Sequence, residues 1–414
     1  MSRTLAPVPG LPPDGEPVPR DGSLPARALT RVGEQGFGLY VHVPFCASRC
    51  GYCDFNTYTA AELAGGVTRD SYAALVLDEL RLAARVLDGT APKARTVFFG
   101  GGTPTLLPAD DLVRILDGID AAFGLADDAE ITTEANPESV DPAYLSRLRA
   151  GGFNRVSLGM QSAARHVLAV LDRKHSPGRA AQAAVEAREA GFGHVNLDLI
   201  YGTPGEREED WAASLDAAVA AGVDHVSAYS LIIEDGTRLA ARIRRGEVAM
   251  PDDDVAADRY LAADAALSAA GLNWYEVSNW AADTDARCRH NLLYWQGGDW
   301  WGLGPGAHSH VGGVRWWNVR HPSAYAGRLA EGASPGEGRE VLDDADRHVE
   351  DVLLRLRIVD GIEVSSLAPP GQESAARAVA DGLLDEPAFE KGLARLTLRG
   401  RLLADAVVRD LLPD

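Results

Sequence analysis

Strand-like apolar segments recur along this chain at intervals filled by helical patterns, and that alternation restricts the fold more than any other feature of the sequence. The strands read as Leu39 to Val43, Thr96 to Phe99, Glu130 to Thr133, Arg155 to Leu158, Val195 to Ile200 and His225 to Ile232. Between them lie helical stretches such as Ser71 to Val86, Asp110 to Phe123, Arg179 to Ala190 and Asp210 to Ala221. In these, Ala and Leu return at helical spacing and Gly often follows the last turn. Such alternation makes an α/β fold, a parallel sheet with helices packed outside. Periodicity leaves a curved, barrel-like (βα)6 array and a doubly wound sheet both open; in either, chemistry belongs at the carboxyl ends of the strands. A seventh candidate unit follows, helix Asp252 to Ala270 and strand Asn273 to Val277.

The remainder divides by composition. Residues 1–37 form a Pro-rich arm, with Pro7, Pro9, Pro12, Pro13, Pro17, Pro19 and Pro25, which reads as disordered. It carries neither a secretion signal nor a membrane span, so a cytoplasmic location is expected. Residues 38–272 hold the βα array. Seven of the eight tryptophans fall between Trp274 and Trp317, among many glycines, so 273–335 reads as irregular, aromatic-rich structure. A Gly/Pro stretch near 328–338 resembles a linker to a small, mainly helical domain over 336–414, ending in a hairpin. With 40 Lys+Arg against 60 Asp+Glu the net charge is −20, which disfavours nucleic acid and anionic lipid as partners.

Directly after the first strand comes Cys46-Ala-Ser-Arg-Cys50-Gly-Tyr-Cys53-Asp-Phe55. Three thiolates at Cys-x3-Cys-x2-Cys spacing suit one [4Fe-4S] cubane, leaving its fourth iron open. A closed zinc site would need a fourth ligand, usually from a second pair, and no pair lies nearby. The fourth cysteine, Cys288, is remote; a lone cysteine is usually a buried apolar group or a free thiol.

This motif, with the flanking Tyr-x-His-x-Pro-Phe-Cys, resembles the radical S-adenosylmethionine (SAM) superfamily and, within it, the oxygen-independent coproporphyrinogen III oxidase-like family. The likeness runs from about residue 38 to the C-terminus. It implies a partial (βα)6 barrel with further βα elements and a HemN-like C-terminal domain. It also implies a cluster on Cys46, Cys50 and Cys53, SAM as cofactor, and reductive cleavage of SAM to a 5′-deoxyadenosyl radical. The positions matching SAM contacts are Tyr40, Tyr52, Gly101, Gly102, Thr103, Glu134, Gln161, Arg173 and Asp198. Their chemistry is suitable: glycines allow close backbone approach, Arg offers a planar fork to a carboxylate, and acids suit ribose hydroxyls or an ammonium. His42, four residues before Cys46, is placed to tune the cluster or relay a proton.

Within that family the coproporphyrinogen-converting enzymes carry a further cysteine two positions beyond the third. Here that position is Phe55, and the Cys-Asp-Phe ending resembles the heme-chaperone branch, HemW. His290-Asn291-Leu292-Leu293-Tyr294-Trp295 matches that branch's His-Asn-x-x-Tyr-Trp motif, which makes His290, Tyr294 and Trp295 the expected heme contacts. His42, His308 and His310 compete with His290 as axial ligand. The implied partners are heme or a porphyrinogen, heme-acceptor proteins and an electron donor, with a homodimer as an allowed assembly. The alternative activity is oxidative decarboxylation of coproporphyrinogen III in porphyrin biosynthesis.

Overall fold

The computed structural model describes residues 15–63 and 67–412. Its main sheet contains β1 (Glu16–Pro17), β2 (Phe37–Val43), β3 (Ala94–Gly101), β4 (Leu125–Ala135), β5 (Arg155–Gln161), β6 (His194–Tyr201) and β7 (His225–Ser230). The same sheet continues through β8 (Asn273–Glu276), β9 (Asn279–Ala281), β10 (Asp299–Leu303), β11 (His308–Val311), β12 (Val314–Asn318) and β13 (Gly336–Val341). Their spatial order is β1-β13-β12-β11-β10-β2-β3-β4-β5-β6-β7-β9-β8. The six expected strands, β2 to β7, lie side by side in sequence order and all parallel. A doubly wound order is thereby excluded, and the curved array is the one that forms.

The two faces of these strands differ in kind. Leu39, Val41, Val43, Val97, Phe99, Val156, Leu158, Val195, Leu197 and Val226 are buried in one apolar core with helix residues such as Val76, Leu80, Leu112, Ile115 and Leu145. At period two from them, Tyr40, Phe98, Thr132, Glu134, Ser157, Asn196, Asp198, Ser227 and Tyr229 line an inner cavity. Parallel sheets are ordinarily apolar on both faces. A polar inner face therefore marks a lumen that holds something other than packed side chains.

Several expectations are corrected. The seventh strand does not extend the parallel array: β8 and β9 form a hairpin across Val277 and Ser278, and β9 runs antiparallel to β7. Ser278 carries the turn at φ 83°, and so short a connection permits only antiparallel pairing. The aromatic segment is not irregular: β10 runs parallel to β2, and β11 and β12 continue from it as an antiparallel wing. Buried indoles supply that wing's packing, Trp301 meeting Trp316 edge-on at 4.8 Å. The supposed linker is helix Pro322–Ala330 followed by β13, so residues 336–341 belong to the main sheet.

The arm is also partly structured. Residues 1–14 lie outside the described residues, but β1 pairs with β13, and a short helix, Ala26–Leu29, buries Ala28. Gly15 approaches Trp317 and the Arg339 carbonyl so closely that a Cβ would collide with both. The C-terminal helices Asp344–Arg355, Pro369–Ala380 and Ala404–Leu411 enclose a second core of Val352, Leu356, Leu367, Ala375, Val407 and Leu411. Helix occupies the expected terminal hairpin; the small sheet there pairs β14 (Ile362–Glu363) with β15 (Leu393–Ala394). Arg401 secures this unit to the barrel by an ion pair with Asp264 and by stacking over Trp274.

Candidate cofactor site

The cysteine loop leaves the carboxyl end of β2 and is held at several points. Cys46 N–H donates to the Tyr58 carbonyl, Gly51 N–H to Leu171, and Leu239 N–H to Gly51. Tyr52 packs against an apolar cluster of Val167, Leu171, Ile200, Leu231 and Leu239. All three thiols are partly exposed and free of disulfides. Burial raises the Cys53 pKa to about 11 and that of Cys46 in the same direction, the latter opposed by the hydroxyls of Thr57 and Thr103. Phe55 stands out from the loop 60% exposed.

Beside the loop, Arg173 directs Nη1 at Cys50 Sγ (3.5 Å) and Nη2 at the Gly159 carbonyl (2.8 Å). Its Nε is buried without a partner, as expected of a guanidinium built to meet an anion. Gln161 ends β5 at φ 64°, a left-handed conformation that costs roughly 1–3 kcal/mol away from glycine and is found mostly at functional positions. A Cβ on Gly159 would strike both Arg173 Nη2 and Gln161 Nε2, so these two side chains share the space above it.

The glycine turn has an internal reason as well as an external one. A Cβ on Gly101 (φ 105°) would lie 2.6 Å from the His42 ring, and one on Gly102 would lie 2.5 Å from the Phe45 carbonyl. Gly102 N–H and Thr103 N–H bond the carbonyls of Val43 and Phe45, which ties the turn to the start of the cysteine loop. Gly101 N–H donates to Glu134 (3.1 Å), so this amide is already used. Burial, then the neighbouring Asp198 charge, lifts the Glu134 pKa to about 8. Asp198 accepts from Ser157 and from Asn196.

His42 is held from both sides between β2 and the cysteine loop. Tyr40 O–H meets its Nδ1 at 3.0 Å and its Nε2 meets the Asn56 carbonyl at 2.9 Å. Burial lowers its pKa to about 4. An imidazole hydrogen-bonded on both sides fixes the return of the cysteine loop.

At the amino ends of the strands the lumen has a floor that sequence reasoning missed. Glu130 faces Arg155 at 3.6 Å, both nearly inaccessible to solvent. Glu130 also accepts the N–H groups of Arg289 and His290, capping helix Arg289–Trp295, while Arg155 donates to the Ala286 carbonyl. Above the pair runs a buried chain: Cys288 N–H to Tyr275 O–H, Tyr275 to His225, His225 to Asn196, Asn196 to Asp198. The available signal was a charged residue, Glu130 or Arg155, at the start of each of two predicted strands. Cys288 lies in this floor, buried, 3.7 Å from Glu130 and at the opposite end of the strands from the cysteine loop. It is no fourth ligand.

The expected heme motif has a different place from the one read. His290 is 1% exposed, with Thr96 Oγ1 on Nδ1 (2.8 Å) and Tyr294 O–H on Nε2 (2.7 Å). Its ring stacks on Phe98 and Tyr40, and burial lowers its pKa to about 3. His290 and Tyr294 thus close the lumen wall, and neither His290 nitrogen is free for iron. Trp295 does not line the lumen; nearby, the buried Glu276 accepts from Asn279 and Asn291 through Oε1, while its Oε2 has no partner among the described residues.

The residues present fit a [4Fe-4S] cluster and SAM. Three unpaired thiols share one loop with a buried guanidinium beside them. No three His, Cys, Asp or Glu side chains among the described residues converge on a single-ion site, and in a cubane each thiolate binds a different iron. Tyr40, Glu134 and Asp198 line one cavity of about 280 Å³, while Gln161 and Arg173 stand together at its cysteine-loop end.

Residues 40–218 match the model of the radical SAM superfamily. The chain is 58% identical over 393 residues to a Mycobacterium tuberculosis protein named heme chaperone HemW, covering 95% of this chain and 99% of that one. The Escherichia coli protein of the same name is 36% identical, with 78% and 82% covered. Among solved structures, the radical SAM enzyme coproporphyrinogen III oxidase (HemN) from Escherichia coli superposes with a TM-score of 0.78 over 93% of this chain and 92% of that one, at 24% identity.

Proposed function

Because the chain belongs to the HemW family within the radical SAM superfamily, we propose that it is a heme chaperone, binding heme and passing it to acceptor proteins. The observation that carries this reading is the 58% identity extending over 99% of a protein named for that function. The [4Fe-4S] cluster would sit on Cys46, Cys50 and Cys53, and SAM against Tyr40, Tyr52, Gly101, Gly102, Thr103, Glu134, Gln161, Arg173 and Asp198. Bound there, SAM and the cluster supply one-electron chemistry. The chain's own part is to orient and surround: Arg173 offers an unused Nε beside Cys50, Glu134 and Asp198 present carboxyl groups, and the barrel strands line the cavity. A one-electron donor, a cytoplasmic location and self-association as a homodimer complete the reading. Among the described residues no helix is long and apolar enough to cross a membrane.

The electrostatics of the lumen argue against coproporphyrinogen as substrate. That molecule carries four propionates, and the one cation in the cavity lining, Arg155, already faces Glu130, which leaves no free cation there among the described residues to meet them. Anaerobic reconstitution followed by hemin titration is expected to give a saturable Soret shift. A parallel assay with coproporphyrinogen III is expected to yield no protoporphyrinogen. Turnover in that assay would overturn the proposal, and so would a hemin titration without saturation.

A further inference from the structure

The antiparallel wing carries the inner face of the barrel onward beyond β2. Tyr40, which faces the lumen, is paired with Gly302, and Trp300 of the same strand with His310. His308 is paired with Trp317, and His310 with Arg315. Paired residues share a face, and alternate residues of one strand share it too. Trp300, His308, His310, Arg315 and Trp317 therefore stand on one surface continuous with the lumen wall, and Tyr294 joins it edge-on to Trp300 at 4.4 Å.

The histidines there are not equivalent. His310 uses Nδ1 on the Gly298 carbonyl (3.0 Å), lies against Trp300 and has a side chain only 13% exposed. His308 is exposed, and neither of its ring nitrogens has a hydrogen-bond partner among the described residues. The nearby His321 accepts the Ser323 N–H at Nδ1. That bond leaves the proton on Nε2 and no lone pair for a metal there. His42, His225 and His290 have both nitrogens engaged. Among the described residues of this region, His308 alone offers iron an exposed ring with no nitrogen engaged.

Its surroundings suit the rest of the ligand. Surrounding protein, then Arg320 and Arg315, holds the His308 pKa below the ordinary imidazole value, so the ring is neutral and able to coordinate. Arg315 is shared with Glu340 and Glu350. Arg320 is exposed and has no carboxylate partner among the described residues, which leaves it for an incoming anion. Trp300 adds a partly exposed indole face.

We propose that His308 is the axial ligand to heme iron on the lumen-side face of the wing, with Arg320 meeting a heme propionate. This rests on the heme-chaperone reading and locates its cargo outside the SAM cavity. His290 of the family motif then acts as a positioning residue, fixing Tyr40 and Phe98 by stacking.

The test is hemin titration of the full-length, cluster-reconstituted protein, with His308→Ala, His308→Gly and Arg320→Glu beside wild type. His308→Ala is a surface change and leaves the core intact. It is expected to weaken hemin at least tenfold and to abolish the imidazole-ligated Soret band. Free imidazole is expected to restore that band in His308→Gly, and Arg320→Glu to weaken binding several-fold, less at high salt. If His308→Ala titrates as wild type does, the ligand assignment is overturned while the chaperone reading stands. If wild type itself gives no saturable shift, both fall.

Discussion

The Glu130–Arg155 pair offers the sharpest test of how the lumen is built. At 3.6 Å and an effective dielectric of about 20, its attraction is about 4–5 kcal/mol, set against desolvation of several kcal/mol for each ion. The net value of the pair is therefore small, but removing one partner leaves the other charge buried and alone. Glu130→Gln is thus expected to destabilise by about 3–5 kcal/mol, and Arg155→Met by a similar amount. The double variant, which buries no charge, is expected to cost less than either single change, with a coupling of at least about 2 kcal/mol. Urea unfolding followed by tryptophan fluorescence reads this directly, because Trp295 belongs to the helix that Glu130 caps and six further tryptophans lie within 274–317. Additive single-variant losses, or a Glu130→Gln cost below about 1 kcal/mol, would refute the claim that this pair holds the floor.

Other consequences can be checked independently. Burial raises the Glu79 pKa from 4.5 to about 7 against hydrogen bonds from Tyr325, the Gly304 N–H and Asn318, so between those values the folded state binds more protons than the unfolded one. Stability therefore falls as pH rises through that window, by up to about 3 kcal/mol, and Glu79→Gln is expected to flatten the pH profile of the unfolding midpoint. Gly102→Ala places a Cβ 2.5 Å from the Phe45 carbonyl and is expected to lower iron content by displacing the cysteine loop, as measured by colorimetric iron assay. Serine at Cys46, Cys50 or Cys53 is expected to abolish the cluster's visible absorbance, whereas Cys288→Ala, altering a thiol in the floor, is expected to retain it. Arg173→Met is expected to weaken SAM at least tenfold by equilibrium dialysis without changing iron content.

Local pattern made much of this protein legible. The six parallel strands, the loop bearing Cys46, Cys50 and Cys53, and the carboxylates at strand ends follow from apolar periodicity and short-range spacing, which depend on nearby residues alone. Positions such as Glu130 and Arg155 carried a signal too, since a charge that a strand buries requires a partner.

What the sequence could not decide was which distant residues meet. Asn273 to Val277 has the composition of a strand, yet pairing across Val277 and Ser278 made it half of an antiparallel hairpin. The prolines of residues 15–37 suggested disorder until β13 supplied a partner for β1. His290 and His308 are both histidines beside aromatic residues. Helix docking seals the first with two hydrogen bonds, and the strand pairing of the wing leaves the second open. By itself the sequence determined the parallel array, the cluster loop and the set of groups able to do chemistry. Tertiary structure determined which of those groups remain available, because hydrogen-bond saturation and burial are set by contacts across hundreds of residues.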